Sequence, residues 1–278
     1  MQRTKIQYLD YTWNPIAMRC TSISSGCANC WHLAMAKRLA GNKLLSRKER
    51  RAYSGDRGPV LKIKELSTPL YLKKPARIGV QFMGDLFHES IKFEIIKQVL
   101  MNAANSKRHF YLFLTKRPLR MAECMRWFQQ FAYQGEDGYI NIKIPDCFWL
   151  GVSVEDQKTA DEKIPILLQI PANYRFISIE PMLESITLAH YIPAPVGLVP
   201  KSQTLNWIIL GGETGPKARL MQIEWVRSVR DQCQAAGVPF FFKGWGDHEK
   251  RYNKGSRYDS TNTGRLLDGR EYSEMPIV

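Results

Sequence analysis

Short apolar runs recur at regular spacing through the chain, and this rhythm is its strongest constraint on fold. They are Arg77–Met83, His109–Leu114, Cys147–Val152, Tyr174–Ile179, Asn206–Leu210 and Val238–Phe242. Most lack polar alternation, as strands buried on both faces do. Helix-like stretches lie between them, including Ser90–Ala104 and Gln222–Ala236. In the latter Ile223, Val226, Val229 and Cys233 fall at helical spacing, with Gly237 as C-cap. Strands alternating with helices predict a parallel sheet. With a first strand near Tyr11–Ile16 there are about seven βα units, which predicts an α/β fold built as a single (β/α) barrel, partial or complete. The domain is expected over residues 1–246. Within it, Gly41–Pro75 reads as a basic insertion or arm (about 41–76), and residues 247–278 read as a small C-terminal extension in which GRLLDGREY forms a hairpin.

Polar or glycine-containing residues follow each strand at once: Gly84-Asp85, Thr115-Lys116-Arg117, Ser153 with Glu155, Glu180-Pro181 and Gly211-Gly212-Glu213. In a barrel the C-terminal strand ends form the active-site face. Glycine beside a carboxylate lets a ligand approach the backbone closely. Lys116 and Arg117 offer a point charge and a bidentate fork to a carboxylate or phosphate. Glu180 needs a partner at the barrel mouth, and Lys116 is the expected one. His88 reads as a satisfied surface histidine.

Three of the six cysteines, Cys20, Cys27 and Cys30, lie within eleven residues as C-x6-C-x2-C, just before the helix-like run WHLAMAKRLAG. In a chain without a signal-peptide pattern such clustering points to metal or redox chemistry rather than a disulfide framework. Three thiolates can hold three irons of a [4Fe–4S] cubane and leave the fourth open for S-adenosylmethionine (SAM), the cofactors then carrying the difficult chemistry. The following helix N-terminus would stabilise thiolates. A tetrahedral Zn2+ held by the three cysteines and His32 stays open as a second reading, and unliganded core thiols as a third. Cys124, Cys147 and Cys233 are scattered and read as small buried hydrophobes.

The net charge is +14, and between Lys37 and Arg77 thirteen Lys and Arg face only Glu49, Asp56 and Glu65, a local excess of +10. A concentrated basic segment suits a polyanion, so nucleic acid is the expected partner of segment 37–77. Among the tryptophans, Trp149 and Trp207 fall in apolar runs and read as core, whereas Trp31 and Trp245 are candidates for base stacking. Nothing approaches the ~20 apolar residues of a membrane span, which predicts a cytoplasmic protein that binds no membrane.

The run TWNPIAMRCTSISSGCANCWHLAMAKRLA resembles the opening of an uncharacterised phage and bacterial family with a three-cysteine motif, generally placed with the radical SAM proteins. The likeness continues through MGDLFHE, FLTKRP, LGVSVEDQ, ISIEPML, ILGGETGPKARLM, EWVRSVRDQCQAAGVPFFFK and GRLLDGREYSEMP, and so covers nearly the whole chain. Leu114-Thr115-Lys116 is more distantly similar to a segment of spore photoproduct lyase and its relatives, which repair a thymine dimer in DNA. The chain departs from the common C-x3-C-x2-C spacing, has Asn29 where an aromatic residue is usual, and has Gly244 where the phage family favours glutamine. The longer first gap is cheaply absorbed by a loop.

The resemblance implies an enzyme with a [4Fe–4S] cluster on Cys20, Cys27 and Cys30 that cleaves SAM to a 5′-deoxyadenosyl radical. It implies Gly84-Asp85 at the SAM amine, with Thr115, Lys116, Ser153, Glu155, Glu180, Gly211 and Gly212 around the cofactor and Glu213 towards substrate or adenosyl. Cys147 and Cys233 are candidates to return a hydrogen atom. The expected reaction modifies or repairs a base in nucleic acid, DNA favoured, with electrons from a flavodoxin or ferredoxin. A protein or small-metabolite substrate is one rival, with a separate partner protein possible. A zinc-containing nucleic-acid-binding module without catalysis is the other.

Overall fold

The computed structural model describes residues 1–131, 143–193, 204–248 and 261–277. The chain forms two compact units. Met1–Ser22, Cys30–Leu150 and Ile170–Asn173 make the first, and Ile23–Asn29, Gly151–Gln169 and Tyr174–Val278 the second.

In the first unit β1 (Gln2–Arg3) lies antiparallel to β2 (Tyr11–Trp13), and the chain continues through β3 (Ile16–Ala17), α1 (Trp31–Ala40), α2 (Arg47–Ser54), β4 (Val60–Leu61), α3 (Ile63–Leu66) and α4 (Thr68–Tyr71). Then come β5 (Arg77–Val80), α5 (Phe93–Ala104), β6 (Phe110–Thr115), α6 (Pro118–Phe131) and the start of β7 (Phe148–Val154). The strand order is β1-β2-β5-β6-β7, with β2, β5 and β6 parallel. Asn14 and Pro15 end β2 earlier than the run Tyr11–Ile16 suggests, since proline gives a ladder no N–H. Helix α5 forms because Ile96, Val99, Leu100 and Ala103 make one buried stripe at i, i+3, i+4 and i+7. Phe113 and Phe148 pack with ring centroids 4.9 Å apart and planes tilted by 59°.

The basic segment is built into this unit. Ser46 and Glu49 form a reciprocal capping box at the start of α2, Gly55 ends the helix at φ 91°, and β4 pairs antiparallel with β3. A small core of Ala17, Ala36, Ala52 and Tyr53 lies beneath α1 and α2.

In the second unit β7 continues from Gly151. It is followed by α7 (Gln157–Leu168), β8 (Tyr174–Ile179), β9 (Trp207–Gly211), α8 (Ile223–Ala236), β10 (Phe240–Gly244), β11 (Leu266–Leu267) and β12 (Arg270–Glu271). The order is β7-β8-β9-β10, with β8, β9 and β10 parallel. Gly151 is needed where it stands, because a Cβ there would meet the Phe176 ring at 2.4 Å. Gly237 caps α8 in the left-handed region at φ 65°, as its position predicts. β11 and β12 form the expected hairpin, which Asp268 ties to α8 through Arg227 and Arg230. The rest of the C-terminal extension lies partly outside the described residues.

Both units are mixed α/β, with mainly parallel strands flanked by helices. No helix among the described residues is long and apolar enough to cross a membrane.

Candidate functional site

In the first unit the polar residues after β5 and β6 converge on the chain around Cys20. Asp85 is buried, and its carboxylate accepts from Thr115 Oγ1 at 2.7 and 2.8 Å, from the Lys116 amide at 3.2 Å, from Arg117 Nη1 at 3.1 Å and from the Phe87 amide at 3.0 Å. The structure therefore gives Asp85 to protein partners. It organises the turn after β6 rather than presenting a bare carboxylate.

The residue so organised is Arg117. It donates to Glu89 at 2.7 Å, to Thr21 Oγ1 at 2.9 Å and the Thr21 carbonyl at 3.3 Å, and reaches Cys20 Sγ at 3.7 Å. Burial works against its charge, but Asp85 and Glu89 outweigh it and hold the guanidinium above its ordinary pKa. A cation fixed beside a sulfur favours thiolate. His88 is buried rather than on the surface. Its Nδ1 accepts from the Ser90 amide at 3.1 Å, which leaves Nε2–H to donate to Thr21 Oγ1 at 2.9 Å. Burial, and then Arg117, lower its pKa and keep it neutral.

His32 Nε2 accepts the Cys20 amide at 3.1 Å, and its buried Nδ1 has no hydrogen-bond partner. Burial, with Arg19 adding to it, pushes His32 down to about 4. Cys30 is the N-cap of α1. Gln81, which sequence reasoning missed, sits buried at φ 54°. Its amide donates to the Ile16 and Met83 carbonyls, both at 2.9 Å, and its oxygen accepts the Ile16 N–H at 3.0 Å. It fixes the segment leading to Cys20. Gly84 takes φ 127°, and a Cβ there would press on Met18 Sδ at 2.9 Å.

In the second unit the loop Ile23–Asn29 is held by residues after β7 and β9. Ser24 Oγ donates to Glu155 Oε1 at 2.6 Å and lies 3.6 Å from Cys27 Sγ. Glu155 is fully buried and paired with Lys163 at 3.3 Å. A Cβ on Gly26 would strike Glu155 Cγ at 2.5 Å, so glycine lets the loop lie on that carboxylate. Asn29 donates to Glu213 at 3.1 Å and to the Lys217 carbonyl at 3.0 Å. Arg219 joins Glu213 to the Ser25 carbonyl, the latter at 3.0 Å. Burial raises the Glu213 pKa, but the Arg219 bonds outweigh it and hold the carboxylate below its usual range.

Other expectations are redrawn. Glu180 pairs with Lys243 and accepts from Ser178 at 3.1 Å. Ser153 Oγ donates to the Glu180 carbonyl at 3.4 Å. Gly212 serves close backbone packing, since a Cβ there would lie 2.0 Å from the Trp245 carbonyl oxygen. Trp245 is buried, its Nε1 donating to Leu266 O at 2.9 Å, and so offers no stacking face; Trp31 is 49% exposed and keeps one. Cys147 precedes β7, and its carbonyl accepts from Tyr111 at the start of β6. Thr115, at the other end of β6, is four residues away, roughly 13 Å along a strand. Cys233 lies on the buried face of α8, where burial raises its thiol pKa strongly. The structure brings neither Cys147 nor Cys233 to the strand ends that carry the polar groups.

None of the six cysteines is in a disulfide, and among the described residues no three His, Cys, Asp or Glu side chains already stand together as a metal-binding group. The donor chemistry still fits a thiophilic centre, because three unbridged thiols lie within eleven residues and a guanidinium faces one sulfur. No curated protein and no solved structure matches the chain. One family model matches residues 3–276, nearly the full length, and the chain therefore belongs to that family, described as protein of unknown function (DUF5131).

Proposed function

We propose that the chain is a radical SAM enzyme on a (β/α)-barrel scaffold, with Cys20, Cys27 and Cys30 holding a [4Fe–4S] cluster, and that it modifies or repairs a base in nucleic acid. The observation that carries this reading is where the anchors of the cysteine segment originate. Arg117, just past β6, reaches Cys20 Sγ, and Glu155, just past β7, holds Ser24 beside Cys27. Within each unit, a polar side chain that leaves a strand end and fixes part of the cysteine segment is what a site at C-terminal strand ends requires. When bound, the cluster would supply the electron that cleaves the SAM sulfonium.

The chain's own residues do the positioning. Arg117 holds positive charge against the sulfur of Cys20. Gly26 and Ser24 seat the loop on Glu155, and Asn29 with Arg219 pins its far end to Glu213. Lys116 of the first unit, and Ser153, Glu180 and Gly211 of the second, are the residues proposed to contact cofactor and substrate. The cytoplasm, with flavodoxin or ferredoxin as electron donor, suits unbridged thiols.

Zinc is the second reading, favoured by the unpartnered buried Nδ1 of His32 beside Cys30. Anaerobic purification with iron, sulfide and zinc analysis, followed by dithionite and SAM, separates the two. The expected outcome is about four irons per chain with 5′-deoxyadenosine formed, both lost in Cys27→Ala and retained in Cys233→Ala. One zinc per chain with no SAM cleavage would overturn the proposal.

A further inference from the structure

Helix α2 carries two unlike faces. Ala52 and Tyr53 are buried in the small core beneath it, while Arg47, Arg50, Arg51 and Ser54 follow one another at i, i+3, i+4 and i+7. That second face, with Ala40 of α1 and Asp56, lines an open cleft of about 290 Å3. A water's share of liquid volume is roughly 30 Å3, so the cleft is large enough for a phosphate with part of its sugar. Three guanidinium groups line it against one carboxylate, and that carboxylate already accepts from Ser54 Oγ at 2.8 Å.

Arg50 carries the second observation. Its Nε is shielded from solvent and makes no hydrogen bond. An unbonded guanidinium N–H in such a place lacks the acceptor that buried donors ordinarily find. Arg51 gives only a 3.3 Å bond to the Asp56 carbonyl, and the Glu49 carboxylate is engaged by the Ser46 amide at 2.9 Å. The cleft thus gathers like charges at helical neighbour positions, which repel unless an anion lies between them. Guanidinium forks match phosphate oxygens two at a time.

We infer that the Arg47–Arg50–Arg51 cleft binds the phosphodiester backbone of a nucleic acid strand. The inference rests on the nucleic-acid reading of the proposed function and gives it a location. It does not depend on the cluster. Phosphate recognition of this kind sets register and orientation on the strand and carries no sequence preference.

The test is salt-dependent binding of labelled 20-nucleotide single-stranded and duplex DNA and of the matching RNA to the full chain. The wild type is compared with Arg47→Gln/Arg50→Gln, with Arg50→Lys, and with Lys158→Gln as a single-charge control away from the cleft on α7. Each neutralised phosphate contributes about 0.9 to the salt slope on duplex and about 0.7 on single strands. The double variant should therefore flatten the duplex slope by about 1.8 and bind at least tenfold more weakly near 0.1 M salt, with its thermal melt retained. Arg50→Lys should keep the slope, and Lys158→Gln should leave binding unchanged.

An unaltered slope in a folded double variant would overturn the inference. So would competition by inorganic phosphate or ATP at oligonucleotide concentrations, which would reassign the cleft to a free phosphate ligand. Weakened capture of an acidic reductant with oligonucleotide binding unaltered would reassign it to a protein partner. Binding lost while SAM cleavage persists supports the cleft and leaves the enzyme reading standing. Zinc in place of iron, with the slope change intact, sinks the enzyme reading and not the cleft.

Discussion

Arg117 is the residue on which most of the first unit's polar geometry turns. It is nearly buried, bonded to Asp85, Glu89 and Thr21, and set against Cys20 Sγ. Removing one partner of a buried ion pair leaves the other uncompensated, at a cost of about 3–5 kcal/mol. Arg117→Gln is therefore expected to lower the melting temperature by about 10 °C and to reduce iron retained after anaerobic reconstitution. Arg117→Lys should fall between, because a single ammonium cannot serve all these acceptors. Calorimetry together with iron analysis checks both, and a Gln variant as stable and as iron-replete as the wild type would remove the clamp. The residues FLTKRP place Lys116 and Arg117 at a strand end, and that much was legible. That Arg117 turns back to the cysteine segment was not, since nothing in the local pattern pairs it with Asp85. Gln81 was wholly hidden: a glutamine inside an apolar run gives no sign that its backbone takes a positive φ and its amide bridges Ile16.

At the scale of elements, the apolar runs and helical stripes located the main parallel strands and helices α1, α5 and α8 to within a few residues. α5 begins at Phe93 rather than near Ser90, and β10 at Phe240 just after Pro239. The meaning of the glycine pair ending β9 was less accessible. Glycine beside glutamate reads as a ligand-facing motif, yet Gly212 is required because the chain after β10 passes so close that Trp245 O occupies the space of a Cβ. Gly211 meets only the side chains of Lys243 at 3.2 Å and Glu180 at 3.5 Å. Gly212→Ala should thus destabilise by more than about 3 kcal/mol, since backbone must move, and Gly211→Ala by about 1 kcal/mol or less. Guanidinium unfolding of the two variants decides it; equal destabilisation would mean that both glycines serve one purpose. The basic segment was legible as charge but not as form, because the capping box and the arginine face of α2 become meaningful only once its opposite face is seen buried.

Over the whole molecule, His32, His88 and His109 are buried and all have lowered pKa values. His109 shows the mechanism most simply. Burial dominates, its Nε2–H donates to the Pro69 carbonyl at 3.1 Å, and Nδ1 has no partner to welcome a second proton. A histidine whose folded pKa lies below its unfolded value of about 6.5 contributes stability that is fully present above that pH. The contribution is lost as pH falls from there through the folded value, because the unfolded chain takes up the proton first. Stability should therefore drop between pH 7.5 and 5.5, and His109→Gln should lessen the drop without abolishing it, as denaturant midpoints at the two pH values would report. A drop of the same size in the variant would place the effect elsewhere.

Chain connectivity carries one more consequence. The polypeptide passes between the two units at residues 22–23, 29–30, 150–151, 169–170 and 173–174. No single cut separates them. A fragment beginning at Gly151 would keep Glu155 and Glu213 but lose Ser24 and Asn29, and one ending at Leu150 would keep all three clustered cysteines but strip Cys27's loop of the carboxylates that seat it. Because the chain crosses between the units on either side of Ile23–Asn29, neither half alone would keep both the clustered cysteines and the residues that hold the loop bearing Cys27.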